Sequence, residues 1–332
     1  MKETSVAAPV AVGQVTAVLG PDVAACKAAP AAELIERTFP AGVEAISVQQ
    51  TTRGCLQECC GCEAKSEYKV YWGHVEEGQA RKEDIPQAGH LLESSSCLAR
   101  FCCGVSRAWT MPLTLGPPTG KGKQRVYGPR VLEFRKQFSF PLCCNFPSQY
   151  IGYAGKIPCV SLAIGGEIDV PGPIPFPCCC LLPTIETVDN DGNKLGETRY
   201  LCDRNLWVPK FGIFDGDGAF KYLLKPDTCC GGCCIYFKLC GASKRKSRMA
   251  YIPFSIRTPA GEKIPAAAQF GEDPDDAFAQ INKVWSGLKK ECCSDADNFQ
   301  VIFPAGVDAK TKTLVGANVA LDFVWFETQE GA

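Results

Sequence analysis

Histidine is almost missing from this chain: its 332 residues hold two, His74 and His90. Neither has a recognisable catalytic partner in sequence. A Ser/His/Asp or Cys/His centre is therefore unsupported, and packing or surface roles are expected. Net charge is nearly absent as well. Thirty-five basic residues against 36 acidic ones leave −1. Bulk attraction to nucleic acid or to an anionic membrane is not indicated, and any such contact has to be local.

Other absences narrow the class further. No phosphate-cradling loop is present, because Gly116-Pro117-Pro118-Thr119-Gly120-Lys121-Gly122-Lys123 lacks the spacing and strand–loop–helix context of a P-loop. No solenoid-length repeat occurs. Lys2 and Glu3 lead into an Ala/Val/Pro stretch broken by Pro9, Gly13 and Gly20, which is not a secretory pattern, so a reducing compartment is expected. Long apolar runs are also missing. The best segment, 313–326, has about 14 residues and contains Asn318 and Asp322, whereas a bilayer-spanning helix needs roughly 20 apolar residues. A charge at mid-membrane depth costs at least ~2.5 kcal/mol. A buried core helix is the expectation, with Asn318 and Asp322 sharing a face.

Cysteine, by contrast, is abundant, with 22 residues in clusters such as Cys59-Cys60, Cys102-Cys103, Cys178-Cys179-Cys180 and Cys292-Cys293. Disulfide scaffolds are usually short, and adjacent cysteines pair only with strain. Packing thiols, metal ligands and acylation sites remain open. A chain that is 46% hydrophobic can bury a real core.

Residues 1–42 are Ala/Pro-rich without periodicity, and a flexible tail with a short helix near 31–36 is expected. From Val43 onward strand signals dominate, as in the alternating Glu67-Tyr68-Lys69-Val70-Tyr71. Asp189-Asn190-Asp191-Gly192 and Asp215-Gly216-Asp217-Gly218 read as hairpin turns, because Gly accepts positive φ. Pro259-Ala260-Gly261 punctuates similarly. Many short strands suggest an all-β barrel or sandwich. The Pro-rich stretch 145–177 reads as a surface insertion, and Lys244 to Arg248 as a basic insert within 243–250. One domain over 43–332 is expected.

The C-terminal region carries a resemblance. Trp285-Ser286-Gly287, Ser294-Asp295-Ala296-Asp297-Asn298-Phe299, Phe303-Pro304 and the ending Asp322-Phe323-Val324-Trp325-Phe326-Glu327 resemble the signature of phospholipid scramblases. Upstream, Cys97-Leu98-Ala99-Arg100-Phe101-Cys102-Cys103-Gly104-Val105-Ser106-Arg107 is similar to that family's cysteine-rich turn. Cys178-Cys179-Cys180 is similar to its polycysteine segment, and Cys229-Cys230-Gly231-Gly232-Cys233-Cys234 to its second cysteine block. The resemblance implies a tubby-like fold: mainly β, a closed antiparallel barrel around a central hydrophobic C-terminal α-helix. It also implies calcium-stimulated, ATP-independent movement of phospholipids between leaflets, not enzymatic catalysis. The alternative is a lipid-binding or interaction scaffold without transport.

The resemblance also assigns sites. A calcium loop would start at Asp295, continue through Asp297 and use the positions of Phe299, Val301 and Phe303, with Asp308 as a nearby acid. An EF-hand-type loop wants ligand oxygens at alternate positions, Gly at the sixth and a carboxylate at the twelfth. Here those last two are Gln300 and Gly306, so a weak site and a solvated Asp-rich turn stay equally open. Cys178, Cys179 and Cys180 match the acylated segment, and their apolar neighbours Phe176 and Leu181 suit reversible acylation. Zinc or iron–sulfur at the doubled cysteines is the lesser expectation. Membrane phospholipids are the expected partners, at the plasma membrane or another cytoplasm-facing membrane, with protein partners conceivable through the Pro-rich tail and insertion. No nucleic acid is expected. The family's nuclear-import segment falls on residues 280–288, where Lys283 alone is basic, so nuclear import is not expected.

Overall fold

A computed structural model of the chain describes residues 29–51, 65–73, 86–96, 99, 107–120, 124–138, 155–156, 169–170, 183–201, 210–227, 251–267, 277–284 and 298–321. The strands are β1 (Ala45–Gln50), β2 (Glu67–Trp72), β3 (Gln87–Leu92), β4 (Trp109–Leu115), β5 (Arg130–Lys136), β6 (Gly155–Lys156), β7 (Asp169–Val170), β8 (Thr184–Asp189), β9 (Lys194–Tyr200), β10 (Phe211–Asp215), β11 (Phe220–Pro226), β12 (Tyr251–Arg257), β13 (Gln280–Val284) and β14 (Asn298–Ile302). Two α-helices are described, α1 (Ala31–Thr38) and α2 (Ala309–Ala317), the second continuing as a 3₁₀ turn over Asn318–Leu321.

All strands except β6 and β7 form one closed barrel in which chain neighbours are sheet neighbours, and β14 closes onto β1. Every pairing is antiparallel. Closure removes the edges that would otherwise template aggregation. Strands β1, β3, β5, β9, β11 and β13 finish at one end, called here the upper rim. The others finish at the lower rim. The small pair β6–β7 stands apart, within the expected insertion.

Period-two alternation decides which side chains enter the barrel. Tyr68, Val70 and Trp72 of β2, Trp109, Met111 and Leu113 of β4, and Phe299 and Val301 of β14 all belong to one buried cluster. The Asp-Gly sequences turn as expected. Asp189 Oδ1 accepts from the amides of Asp191 (2.9 Å) and Asn193 (2.8 Å). Asp215 Oδ1 accepts from those of Asp217 (3.1 Å) and Ala219 (2.8 Å). Gly192 and Gly218 supply φ of 89° and 83°.

The C-terminal helix fills this barrel. Leu314, Val315, Ala317 and Val319 join the core cluster, and α2 packs on β8, β9, β10 and α1. The fit against β9 is tight: a Cβ on Gly196 would lie 2.8 Å from Leu314 Cδ2 and 2.3 Å from the Phe214 carbonyl oxygen. Among the described residues, no helix is long and apolar enough to cross a membrane. Helix α1 is not part of a loose tail. Leu34 and Ile35 are core residues, and the Thr38 carbonyl accepts the Trp72 indole N–H at 2.8 Å.

Candidate functional site

The window 295–306 is a barrel stave for much of its length. Asn298–Ile302 is β14, paired with β1 on one side and β13 on the other. Phe299 and Val301 point into the core, and Phe303 beyond them is fully buried. The Phe303 amide donates to the Glu44 carbonyl at 3.0 Å, and its carbonyl accepts from Ala267 N at 3.1 Å. Asp295 and Asp297 lie outside the described residues, in the connection that enters β14 from the upper rim.

Asp308 is at the other end. It follows β14 at the lower rim, some ~15 Å of strand from the upper one at ~3.4 Å per residue. Its carboxylate N-caps α2, accepting from Thr311 N at 2.9 Å. Hydrogen bonding by the Thr311 side chain and amide, with nearby Lys310, holds the carboxyl below the usual aspartate range despite partial burial. Phe299, Val301, Phe303 and Asp308 are thus not brought to one point. Among the described residues, no group of three or more His, Cys, Asp or Glu side chains is placed to hold a metal. All 22 cysteines, Cys178, Cys179 and Cys180 included, lie outside the described residues. The described core is therefore packed without thiols.

The cap explains why α2 starts at Ala309, four residues before the apolar run. It also carries Lys312 inside. This side chain is buried, and its ammonium donates to the carbonyls of Pro40 (2.9 Å) and Ala41 (3.2 Å), 5.8 Å from the Phe303 ring centroid. Burial pushes Lys312 below the ordinary lysine value, against the opposing pull of Glu44 and Asp308. Six residues on, Asn318 Nδ2 donates to the Leu314 and Val315 carbonyls at 2.9 and 3.2 Å. Lysine 312 therefore ties the segment between α1 and β1 to the core helix.

Two ionic groups brace the wall formed by β2 to β5. Near the upper rim, Glu93 and Arg107 bracket the 94–106 connection and are buried as a pair, with Nε to Oε1 at 2.9 Å and Nη2 to Oε2 at 3.2 Å. Ser95 and Ser66 N complete the Glu93 carboxylate. Burial alone would raise this carboxyl, but Arg107, Ser95 and Ser66 outweigh it and hold it below the usual range. The Arg107 carbonyl accepts from buried Lys136 at 2.9 Å.

The second group joins Glu67 to His90 Nε2 (2.7 Å) and Arg125 Nη1 (2.6 Å), with Tyr127 against the imidazole. Burial lowers the His90 pKa, opposed by Glu67. The packing role expected of His90 is what it has. His74 lies outside the described residues. The sequence signal for these braces is faint: Glu93, Arg107 and Arg125 stand outside the strands, and Glu67 is the first residue of one.

An apolar cavity remains between the end of α2 and the opposite wall. Ile46, Val48, Tyr68, Leu113, Phe134, Gly316 and Val319 line it. It offers hydrocarbon contact and almost no polar surface.

Comparison with known proteins bears on what this barrel is. A family model described as Scramblase matches residues 271–328, which contain β13, β14 and α2. The chain is 42% identical over 243 residues to phospholipid scramblase 2 of Bos taurus, covering 72% of the chain and 57% of that protein. It is 41% identical over 240 residues to phospholipid scramblase 1 of Mus musculus, covering 71% and 50%. Against phospholipid scramblase 1 of Homo sapiens it is 39% identical over 240 residues, covering 71% and 52%.

The chain belongs to the scramblase family.

It spans about half the length of the curated relatives it matches. No solved structure matches it. Within the matched region, the described residues are divided between two staves, a helix cap and a core helix.

Proposed function

We propose that this scramblase moves phospholipids between the leaflets of a cytoplasm-facing membrane, the plasma membrane foremost, without ATP and with stimulation by calcium. The observation that carries this reading is the 42% identity over 243 residues to a protein named phospholipid scramblase 2. In this reading Asp295 and Asp297 supply a weak calcium site, and Cys178, Cys179 and Cys180 carry thioester-linked acyl chains that hold the barrel on the membrane. Stable anchoring takes about two chains, and three thiols suffice. Membrane phospholipids are the partners, and the protein has no catalytic residue to assign.

A second reading is a lipid-binding scaffold without transport. The burial of α2 favours it, since a helix whose apolar side chains face the barrel wall does not offer them to lipid. Purified full-length protein in liposomes carrying a fluorescent phospholipid separates the two. With scrambling, dithionite added outside bleaches label beyond the outer-leaflet half, faster with calcium. If bleaching stops at the outer leaflet with calcium present and the protein verified in the bilayer, the transport reading fails and the scaffold stands.

A further inference from the structure

His90 faces outward and is nonetheless sealed. On β2 and β3 the pair Tyr68 and Leu91 enters the core. Lys69 and His90, the next pair along, therefore lie on the outer face of the barrel. His90 is only 1% exposed there. Part of its cover is the returning arm of the β4–β5 connection, 124–129. The Tyr127 ring of this arm lies 5.3 Å from the imidazole, and its Arg125 is bonded to Glu67 on the first position of β2.

The arm and the imidazole share one carboxylate oxygen. Glu67 Oε1 lies 2.6 Å from Arg125 Nη1 and 2.7 Å from His90 Nε2. A carboxylate only accepts, so Nε2 carries a proton and donates. Arg125 also hydrogen-bonds the Tyr127 side chain. The far side of the arm is wet, because Val126 between these two residues is 62% exposed. Its base is fixed. The Pro129 carbonyl accepts from Leu115 N at 3.0 Å, and a Cβ on Gly128 would collide with the Leu115 carbonyl oxygen. The part with freedom to lift is 124–127.

We propose that this arm is an acid-released latch: protonation of His90 frees Arg125 from Glu67 and lifts residues 124–127 off β2 and β3. The device does not depend on whether lipid is moved. With neutral imidazole, one guanidinium faces one carboxylate. A proton added at Nδ1 sets imidazolium and guanidinium on the same oxygen, with Lys69 of β2 also acting on His90. Strand β4, on the other side of His90, has no titratable side chain; its Thr114 hydroxyl donates to the His90 carbonyl at 3.2 Å. Like charges this close disfavour each other. His90 has no route to water under the arm, whereas the Arg125 side chain is already 34% exposed, so the arm is what leaves. Glu67 then stays with the imidazolium.

The direction in pH follows. Burial lowers His90 in the closed form, against the hydrogen bond and charge of Glu67. In the open form the imidazole returns to its ordinary value of about 6.5. Opening therefore takes up a proton, and the closed arm loses stability as pH falls from about 6.5 toward the lower closed-form value. One proton changes the ratio of open to closed by at most about tenfold per pH unit.

Hydroxyl-radical footprinting of the full-length protein, read residue by residue by mass spectrometry, tests this. At a pH of about 7.5, His90 is expected to be as protected as the core residue Trp109. At a pH of about 5.5, oxidation of His90 and of half-buried Tyr127 is expected to rise several-fold, with Trp109 unchanged. No rise at His90 overturns the latch. So does a rise matched at Trp109, which marks unfolding of the whole barrel.

Two variants assign the groups. Arg125→Gln removes the tether, and His90 is expected to be oxidised at both pH values; protection at the higher one overturns the proposal. His90→Gln keeps an N–H for Glu67 and has no proton to take up. In it, oxidation of Tyr127 is expected to be the same at both pH values. An acid-induced rise at Tyr127 that survives this substitution assigns the release to another group and overturns the role of His90.

Discussion

Arg107 and Glu93 hold each other almost entirely out of solvent, the guanidinium Nε 2.9 Å from Oε1. They flank a connection that leaves and re-enters the barrel at one rim, so the pair fixes where that connection starts and ends. Glu93→Ala would leave Arg107 buried without its carboxylate, and about 3–5 kcal/mol of destabilisation is expected. Urea unfolding followed by tryptophan fluorescence measures it. A loss under about 1 kcal/mol would show the pair to be dispensable.

The same pair makes stability depend on acid. The Glu93 carboxyl is depressed in the folded protein, so its contribution is present above the unfolded glutamate pKa and lost as pH falls through the folded one. The wild type is expected to lose stability steadily below the ordinary carboxylate range. Glu93→Gln should show a flatter acid limb in thermal melts between neutral and strongly acidic pH. Parallel limbs in the two proteins would remove Glu93 from this role.

Helix α2 inside the barrel predicts a steric sensitivity at Gly196. An added Cβ meets Leu314 and the Phe214 carbonyl, and overpacking of this kind costs about 1–3 kcal/mol. Gly196→Ala should lower the melting temperature, and Leu314→Ala in the same chain should recover part of the strain while opening a cavity of its own. Strict additivity of the two changes would mean that α2 does not pack on β9 as seen.

Much of the barrel was legible because its signals are local. Asp189 and Asp215 each stand two residues before an aspartate–glycine turn, and alternation along β2 and β4 sets their inward faces. The candidate site was less legible. Asp308 is an acid near an apolar helix, and in sequence a cap and a metal ligand look alike until the distance across β14 is known. Lys312 stands with Lys310 just before the apolar segment, as a solvated lysine would, yet a long amphipathic side chain can bury its ammonium when backbone carbonyls await it. Phe299 and Val301 fit a loop count of alternate positions because a strand has the same period.

Acylation at the proposed anchor has a direct readout. Hydroxylamine cleaves thioesters, and exchange for a bulky maleimide tag then shifts the protein on a gel by one step per acylated cysteine. Wild type made in a eukaryotic cell is expected to shift. Cys178→Ser with Cys179→Ser and Cys180→Ser should lose steps and leave the membrane fraction in proportion, since stable anchoring takes about two chains. An unchanged ladder in the triple variant would take the anchor away from this segment.

Calcium separates the two aspartate positions from the third. Asp308 lies across the barrel from the connection holding Asp295 and Asp297, and it is engaged as a helix cap. Asp308→Ala is therefore expected to cost about 1 kcal/mol of stability through the lost cap while leaving the calcium isotherm unchanged. Asp295→Ala with Asp297→Ala should abolish the heat of binding and leave stability nearly intact. Few carboxylates and no glutamate at the twelfth position make a weak site, so isothermal titration of the wild type should give a Kd no tighter than the roughly 10⁻⁷–10⁻⁵ M of sensor EF-hands. Tighter binding that disappears in Asp308→Ala would require the two ends of β14 to converge, and the stave described here does not permit that.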